Sequence, residues 1–327
     1  MTPPSQTLPA AARNREALGM RQTEAPFVLG HVRLLYRILR HLAWSLRHGY
    51  GRGVGHSIQA LGCFGAAAWR ETQASSLRKA CNLCGWTGSR FYPAVGPGYF
   101  EREALCPRCH SNPRYRTLAA MLHAQTDFFD PRRMAIEVAP FRSFQLYCLR
   151  VKDGVGYVSF DLHRFAMERG DITAMRFADN SCDYFLCFHV LEHLADDRKA
   201  LAEIHRVLRP GGYGWFQVPI DDQIPETVEY GAPRRFETGH VRRYSRPDFV
   251  RRLTQAGFTV APLSPGQQFT PEELARFGLS GEMIYQAQKP PPGHGRAEAT
   301  RPQPRADGAD GGEPGAAQLR KQPAGEV

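Results

Sequence analysis

Apolar positions recur at helical spacing through "FVLGHVRLLYRILRHLAWSLRH", residues 27–48. Val28, Val32, Leu35, Leu39, Leu42 and Leu46 fall on one side, and Arg33, Arg37, Arg40 and Arg47 lie towards the other. The segment contains no acid, so it reads as a basic amphipathic helix. Its apolar side is expected to pack on the body of the protein with the arginines solvated. The same pattern suits contact with an anionic membrane surface or with nucleic acid through residues 27–52. Gly49, Gly51, Gly53 and Gly55 are expected to end the pattern, and the small-residue stretch 56–70 predicts a second helix. From Met134 the period changes. "MAIEVA" (134–139), "GYVSFD" (156–161), "CDYFLCFHV" (182–190) and "YGWFQVPI" (213–220) are short apolar runs that read as buried parallel strands. "ADDRKALAEIHRVLRPGG" between the last two predicts a crossover helix. Leu201, Ile204 and Leu208 form its face, Asp196 and Asp197 its start, and Pro210-Gly211-Gly212 its stop. Residues 246–256 predict another helix and 282–288 a last strand.

Charge changes this picture only at the N-terminus. The formal net charge is +10. Residues 1–80 hold ten Arg and one Lys against three Glu, so most of the excess lies outside the strand-and-helix region. That region is therefore not expected to be a general nucleic-acid binder. No run of 18 apolar residues and no signal-peptide pattern occurs, and a cytoplasmic location is the expectation. Residues 1–25 and the tail 289–327 are rich in Pro, Ala, Gly and charge without an apolar period, and both are expected to be disordered.

Of the eight cysteines, four form two pairs, "CNLC" (81–84) and "CPRC" (106–109). Two such knuckles present four thiolates to one tetrahedral ion, and zinc favours sulfur in that geometry. Cys81, Cys84, Cys106 and Cys109 are therefore candidate ligands of a closed, structural zinc within a ribbon-like module, residues 76–116. Gly85 suits the turn after the first knuckle. His110, after the second, is read as solvent-facing or hydrogen-bonding. Cys63, Cys148, Cys182 and Cys187 sit among apolar neighbours and read as buried thiols.

Residues 189–193 read "HVLEH", which matches the H-x-x-E-H string of inverted zinc proteases. In such proteases the string lies within a helix. Here a buried strand runs straight into His189, so His189 and His193 are expected at a strand end and the following turn, without the shared helical face of a metal site. In an open parallel sheet, ligands bind at the carboxyl ends of strands. The polar residues there are Glu137 followed by "VAPFRS", then Asp161, "GDIT" (170–173), "FHVLEH" (188–193) and "VPIDD" (218–222). An acid after the second strand suits a ribose diol. No G-x-G-x-x-G follows the first strand, which argues against a dehydrogenase.

This order, together with "FADNSCDYFLCFHVLEHLADDRKALAEIHRVLRPGGYGWFQVPI" and the later "GHVRRYS", resembles class I S-adenosylmethionine-dependent methyltransferases of the type 11 group. The likeness is nearest to a bacterial subgroup that precedes the fold with "CPxC" and an Arg-rich segment, here "CPRCHSNPRYR". It covers roughly residues 80–288. The resemblance implies an α/β, Rossmann-like domain over 117–288 with a mostly parallel seven-stranded sheet, preceded by the zinc-ribbon-like module and the basic helical segment 26–75.

It also implies roles. S-adenosyl-L-methionine would be the cofactor. Glu137 and the following turn with Ala139 would lie near its methionine part, and Asp161 would hold the ribose hydroxyls. Asp171 and Ile172 would flank the adenine, and His189 would line the methyl-transfer side. The family's acidic-x-Gly-x-Gly loop is here "EVAPFRS", without glycine, so Ala139 and Pro140 must make the turn differently. Arg142 is a candidate partner for the cofactor carboxylate. His189, His240, Tyr244 and Asp221 are candidate bases for an acceptor that must lose a proton. "RRFETGHVRRYS" (234–245) reads either as a contact to an anionic acceptor or as a solvated basic loop. Three functions stay open. One is methylation of a small-molecule, lipid or saccharide acceptor. Another is methylation of RNA or protein docked through the ribbon and basic helix. The third is a non-catalytic methyltransferase-like binding protein, suggested by the missing glycines.

Overall fold

A computed structural model describes residues 27–70, 79–96, 99–162, 166–234 and 239–292. The N-terminal stretch 1–25 and nearly all of the tail, both expected to be disordered, lie outside these residues. The chain opens with two helices, α1 (Phe27–Arg47) and α2 (Gly51–Arg70). Short strands β1 (Lys79–Ala80) and β2 (Thr87–Gly88) frame the first knuckle, and β3 (Tyr92–Gly96) pairs with β4 (Tyr99–Leu105) as a hairpin. Helix α3 (Pro113–Gln125) leads into the α/β region. This comprises β5 (Ala135–Val138), α4 (Arg142–Val151), β6 (Tyr157–Asp161), β7 (Glu168–Arg169), β8 (Cys182–Phe188), α5 (Asp197–Val207) and β9 (Leu208–Gln217). A hairpin follows, β10 (Val228–Arg234) and β11 (His240–Arg243). Then come α6 (Arg246–Gln255), β12 (Thr259–Leu263), the short helices α7 (Pro265–Gln268) and α8 (Pro271–Phe277), and β13 (Ile284–Gln288).

Seven strands form one sheet in the order β12-β13-β9-β8-β5-β6-β7. β5 to β9 run parallel, and β13 lies antiparallel between β9 and β12. This is the doubly wound, Rossmann-like, mostly parallel seven-stranded sheet expected from the sequence. β5 is buried at every position and β8 at all but one, because both faces are covered. That burial explains their continuous apolar runs. Chain direction reverses its lateral course between β5 and β8, since β6 lies on one side of β5 and β8 on the other. Their carboxyl ends therefore flank the topological switch point where such sheets bind ligands.

The crossover helix starts as expected, with the Asp196 side chain accepting from Lys199 N at 2.9 Å. Its end differs. α5 stops at Val207, and Leu208 begins β9. Pairing with β8 jumps from Cys182–Leu208 to Tyr184–Tyr213, so Arg209–Gly212 form a bulge instead of a helix stop. Glycine is required at 212, because a Cβ there would sit 2.9 Å from the carbonyl oxygens of both Arg209 and Asp183.

The glycines after α1 also have a different role. Gly49, at φ +63°, does end α1, and Tyr50 N donates to Ser45 O at 2.9 Å. The second helix, however, begins at Gly51, so Gly51, Gly53 and Gly55 lie inside it. At Gly53 a Cβ would meet Ser45 Oγ at 2.4 Å, which marks the close approach of the two helices.

The face by which α1 packs is not the apolar stripe of its sequence pattern. Leu34 and Ile38 are buried, joining Ala60, Tyr92, Ala94, Ala104 and Leu105 in a cluster of the two helices with the β3–β4 hairpin. Val32, Leu39 and Leu46 are exposed, as is Tyr36 beside them. Val28 lies outside the described side chains. Replacing Ile38 by Ala should cost about 2–5 kcal/mol of stability, because it opens a cavity in that cluster. Leu39→Ala should cost within about 0.5 kcal/mol. Denaturant unfolding of the two variants separates them; equal losses would mean that the stripe is buried after all.

Candidate active site

The first knuckle closes with Gly85 N donating to Cys81 O at 2.9 Å, and the second with His110 N donating to Cys106 O at 2.9 Å. Gly85 and His110 both have positive φ, +72° and +58°, so His110 occupies the turn position that glycine fills in the first knuckle. Cys81 and Cys109 Sγ are 3.6 Å apart, as are Cys84 and Cys106 Sγ. Four sulfurs each about 2.3 Å from a central zinc stand roughly 3.8 Å from one another, so this set fits a tetrahedral ion. Ser111 Oγ lies 3.2 Å from Cys81 Sγ and 3.3 Å from Cys109 Sγ. Of the remaining cysteines, Cys148, Cys182 and Cys187 are buried as expected, while Cys63 is only half-buried.

The cysteine-bearing segment is built into the α/β region. Cys81, Leu83, Trp86, Phe91 and Cys106 share one core with Tyr115, Phe144, Leu186 and Trp215. Arg116 is buried with its guanidinium 4.0 Å above the Phe91 ring. It donates to Ser111 O at 2.5 Å, to Phe277 O at 2.8 Å and to Gly278 O at 2.8 Å. One side chain thus ties the second knuckle to the end of α8.

Between this N-terminal part and the carboxyl edge of the sheet lies a cavity of about 1000 Å³. Leu34, Arg37 and Ile38 of α1 form one wall, and Phe100 and Tyr99 of the hairpin continue it. Opposite stand Phe141, just after β5, and His189, just after β8. The cavity therefore reaches the switch point. Its charges are mixed: Arg37, Arg114 and Arg243 face it together with Glu101, Asp221, Asp222 and Glu282. Burial pushes the Glu101 carboxyl above its ordinary range, an effect that Arg116 partly offsets.

Two non-glycine residues at this edge adopt left-handed backbone, Ala139 at φ +50° and His189 at φ +55°. Ala139 thus makes, with a Cβ, the turn for which glycine is the usual residue. Glu137 is buried, and burial lifts its carboxyl to about 8 although Tyr157 and the Phe141 backbone hydrogen-bond it. Its Oε1 accepts no hydrogen bond. Arg142 is the exposed first residue of α4. Asp161 closes β6 at partial exposure, its carbonyl accepting from Gly170 N at 3.2 Å. Asp171 Oδ1 accepts from Thr173 N at 2.8 Å and Oγ1 at 2.9 Å, so one of its oxygens is occupied by an Asx turn. Ile172 is buried. Glu137, Ala139, Arg142, Asp161, Asp171 and Ile172 lie along the carboxyl edge but do not line the cavity, whereas Phe141 and His189 do.

The "HVLEH" segment is a strand end followed by a 3₁₀ turn, Leu191–His193. Its histidines share no helical face, as expected. Glu192 is 1% exposed, and His189 Nδ1 lies 3.1 Å from its Oε1. Burial pushes the Glu192 carboxyl up, but His189 outweighs that and holds it below its ordinary range.

The β10–β11 hairpin packs on this turn. Arg242 is buried there, donating to Leu191 O at 2.8 Å, Leu194 O at 2.5 Å and Ala195 O at 3.0 Å, and to Glu229 Oε2 at 3.0 Å. It is neither a solvated cation nor free for an anionic acceptor. Arg243 reaches Asp221 Oδ2 at 3.2 Å and the Tyr230 hydroxyl at 2.9 Å.

Tyr244 was a candidate base, and the structure places it elsewhere. It is fully buried, and its hydroxyl donates to Asp197 Oδ2 at 2.6 Å within a network with Arg252. Burial and Asp197 both hold its pKa well above the ordinary value, so it takes no part on the acceptor side. His240 and Asp221 line the cavity, and the His240 ring meets His193 edge-on with centroids 4.9 Å apart. Glu192, Phe141 and the α1 wall were missed from the sequence. The glutamate was read only as part of a string, and nothing local signals that α1 folds back over a sheet edge.

Residues 151–216 match the family described as a methyltransferase domain. Over 106 residues the chain is 31% identical to a Mycolicibacterium smegmatis protein named "Probable S-adenosylmethionine-dependent methyltransferase", covering 32% of this chain and 40% of that one. Over 107 residues it is 50% identical to a 37.1 kDa protein of a Streptomyces fradiae transposon, covering 30% of each. The chain thus spans less than half the length of these two relatives. Similar solved structures include an S-adenosylmethionine-dependent methyltransferase from Mesorhizobium loti, at 14% identity and a TM-score of 0.40, covering 53% of this chain and 97% of that one. Another is the Burkholderia thailandensis 1,6-didemethyltoxoflavin-N1-methyltransferase with bound S-adenosylhomocysteine, at 19% identity and a TM-score of 0.39, covering 54% and 78%.

Proposed function

We propose that this chain is an S-adenosylmethionine-dependent methyltransferase acting on a small-molecule, lipid or saccharide acceptor held in the cavity at the sheet's switch point. The observation that carries this reading is that Phe141 and His189, which follow β5 and β8, both line the cavity. The missing glycines do not argue against the cofactor, because Ala139 already has the backbone conformation the turn needs. Asp161 would hold the ribose hydroxyls, Asp171 and Ile172 the adenine, and Glu137 and Arg142 the methionine end. The cofactor supplies an electrophilic methyl on a sulfonium. The chain's own part is to align an acceptor with that methyl and exclude water from it. α1 and the β3–β4 hairpin cover the cavity, and His189 and His240 present ring nitrogens that can take a proton. The mixed charge of the lining and the enclosure by α1 favour a compact acceptor over a nucleic-acid strand. Removing the Asp161 carboxylate should weaken S-adenosylhomocysteine binding by roughly 1.5–3 kcal/mol. Calorimetry on wild type and Asp161→Ala measures this; undiminished binding in the variant would remove Asp161 from the cofactor site.

The four-cysteine set is proposed to hold one structural zinc. The separations between sulfurs and the paired turns support it. Because thiolates must form for the metal to bind and the ribbon shares the main core, metal and fold are coupled. Cys81→Ser should lose the tightly held zinc and lower the unfolding midpoint, as read by elemental analysis and thermal unfolding. A variant that keeps zinc and midpoint would contradict this.

The partner proposed for α1 is an anionic membrane surface. Val32, Leu39, Leu46 and Tyr36 make an exposed apolar stripe, and Arg33, Arg40 and Arg47 are exposed alongside it. No helix among the described residues is long and apolar enough to cross a membrane. Full-length protein should sediment with phosphatidylserine vesicles in a salt-sensitive manner, and Leu39→Glu with Leu46→Glu should abolish this. Preference for RNA over vesicles, or no response to either at low salt, would reject the proposal.

A further inference from the structure

The cavity wall carries a second constellation of metal-ligating groups, far from the cysteines in sequence. Glu192, His193 and His240 each offer one ligand atom, and these atoms all lie within 4.8 Å of one another. All three residues face the cavity. The carboxylate is the notable member. Glu192 is 1% exposed, its Oε1 has only the ion-pair contact with His189 at 3.1 Å, and neither oxygen accepts a hydrogen bond of good geometry. A buried carboxylate is costly unless positive or donor groups meet it, and His189 meets this one at Oε1 alone. His193 supplies a further sign. Its Nδ1 lies 3.4 Å from Gly239 O, the direction in which a ring N–H donates to a carbonyl. In that tautomer Nε2 keeps its lone pair, the arrangement by which metal-binding histidines are oriented.

We propose that Glu192, His193 and His240 form a site for a first-row divalent cation on the wall of the cavity. Two imidazoles and one carboxylate suit ions such as Zn²⁺, Fe²⁺ or Mn²⁺ and leave coordination positions open. The site needs no helix. One ligand pair comes from the turn after β8 and the third from β11, and Arg242 holds those two elements together through the carbonyls of Leu191, Leu194 and Ala195. His189, in contact with Glu192 Oε1, orients the carboxylate. The assignment of the ligands is independent of methyl transfer. If the methyl-transfer reading holds, the open positions face the acceptor, and a hydroxyl oxygen bound there would lose its proton more readily. His240 then acts as a ligand instead of a base.

The test is calorimetric titration of Zn²⁺ into full-length protein that already carries zinc on its cysteines and has been washed with chelator. Wild type should take up one further equivalent. Glu192→Gln, His193→Ala and His240→Ala should each weaken that uptake about tenfold or more. His193 is exposed, and its contacts are with Gly239 and His240 of the hairpin and not with the core, so its removal gives a reading even if a substitution at the buried Glu192 prevents folding. S-adenosylhomocysteine binding is measured on the same samples. Loss of the further equivalent in variants that still bind the nucleoside supports the site. A wild-type chain that takes up no further equivalent, or a His193→Ala chain that binds it as tightly as wild type, overturns it. Absence of nucleoside binding in the wild type would overturn the methyl-transfer reading and leave the metal site standing.

Discussion

The guanidinium of Arg242 is the interaction on which the cavity's working face depends. Three backbone carbonyls of the turn after β8 accept from it, and Glu229 pairs with it from β10. Burial alone would lower its pKa, but Tyr244, Glu229 and Asp197 more than restore it, so the group stays cationic. Leu191 O also accepts from Leu194 N at 3.3 Å, but leaving buried carbonyls at the end of such a turn without partners would be unfavourable. One side chain meets three of them and so fixes the turn against the hairpin. The positions of Glu192, His193 and His240 relative to one another follow from that clamp. Behind it, Arg252 donates to Asp197 at 2.8 Å and to Asp248 at 2.9 Å, which joins α5 to α6 and leaves Tyr244 no role outside the network.

The opposite wall depends on the cysteine-bearing segment. The knuckles are part of the main core, and Arg116 and Arg150 connect them to it, the latter donating to Leu83 O. The β3–β4 hairpin continues from that segment, and α1 packs on that hairpin through Leu34 and Ile38. The hairpin and the α1 wall are thus carried by the segment that bears the four cysteines.

The sheet was legible in the sequence because β5, β6, β8 and β9 are buried on both faces and so appear as continuous apolar runs. The knuckles were legible because their spacing is local. What escaped was whatever depends on contacts between distant segments. Helical periodicity placed Leu39 and Leu46 on one stripe correctly, but it cannot say which stripe meets the body, and the neighbouring stripe of Leu34 and Ile38 does. Pro210-Gly211-Gly212 looked like a helix stop, yet the carbonyl of Asp183 on the adjacent strand is what demands glycine at 212. Arg242 and Tyr244 looked like site residues because an Arg-rich, Tyr-containing loop is the same string whether its side chains point out or in. His193 and His240 are far apart in sequence, and their pairing arises only when the hairpin folds onto the turn.

The central claim is that the cavity between α1 and the sheet's carboxyl edge receives the acceptor beside a cofactor held at the ends of β5 and β6. A crystal structure of the protein with S-adenosylhomocysteine tests it most directly. The account predicts the ribose at Asp161, the adenine beside Ile172, and the sulfur turned toward the cavity beside Phe141 and His189. Nucleoside bound anywhere else, or a sulfur facing away from the cavity, would contradict it.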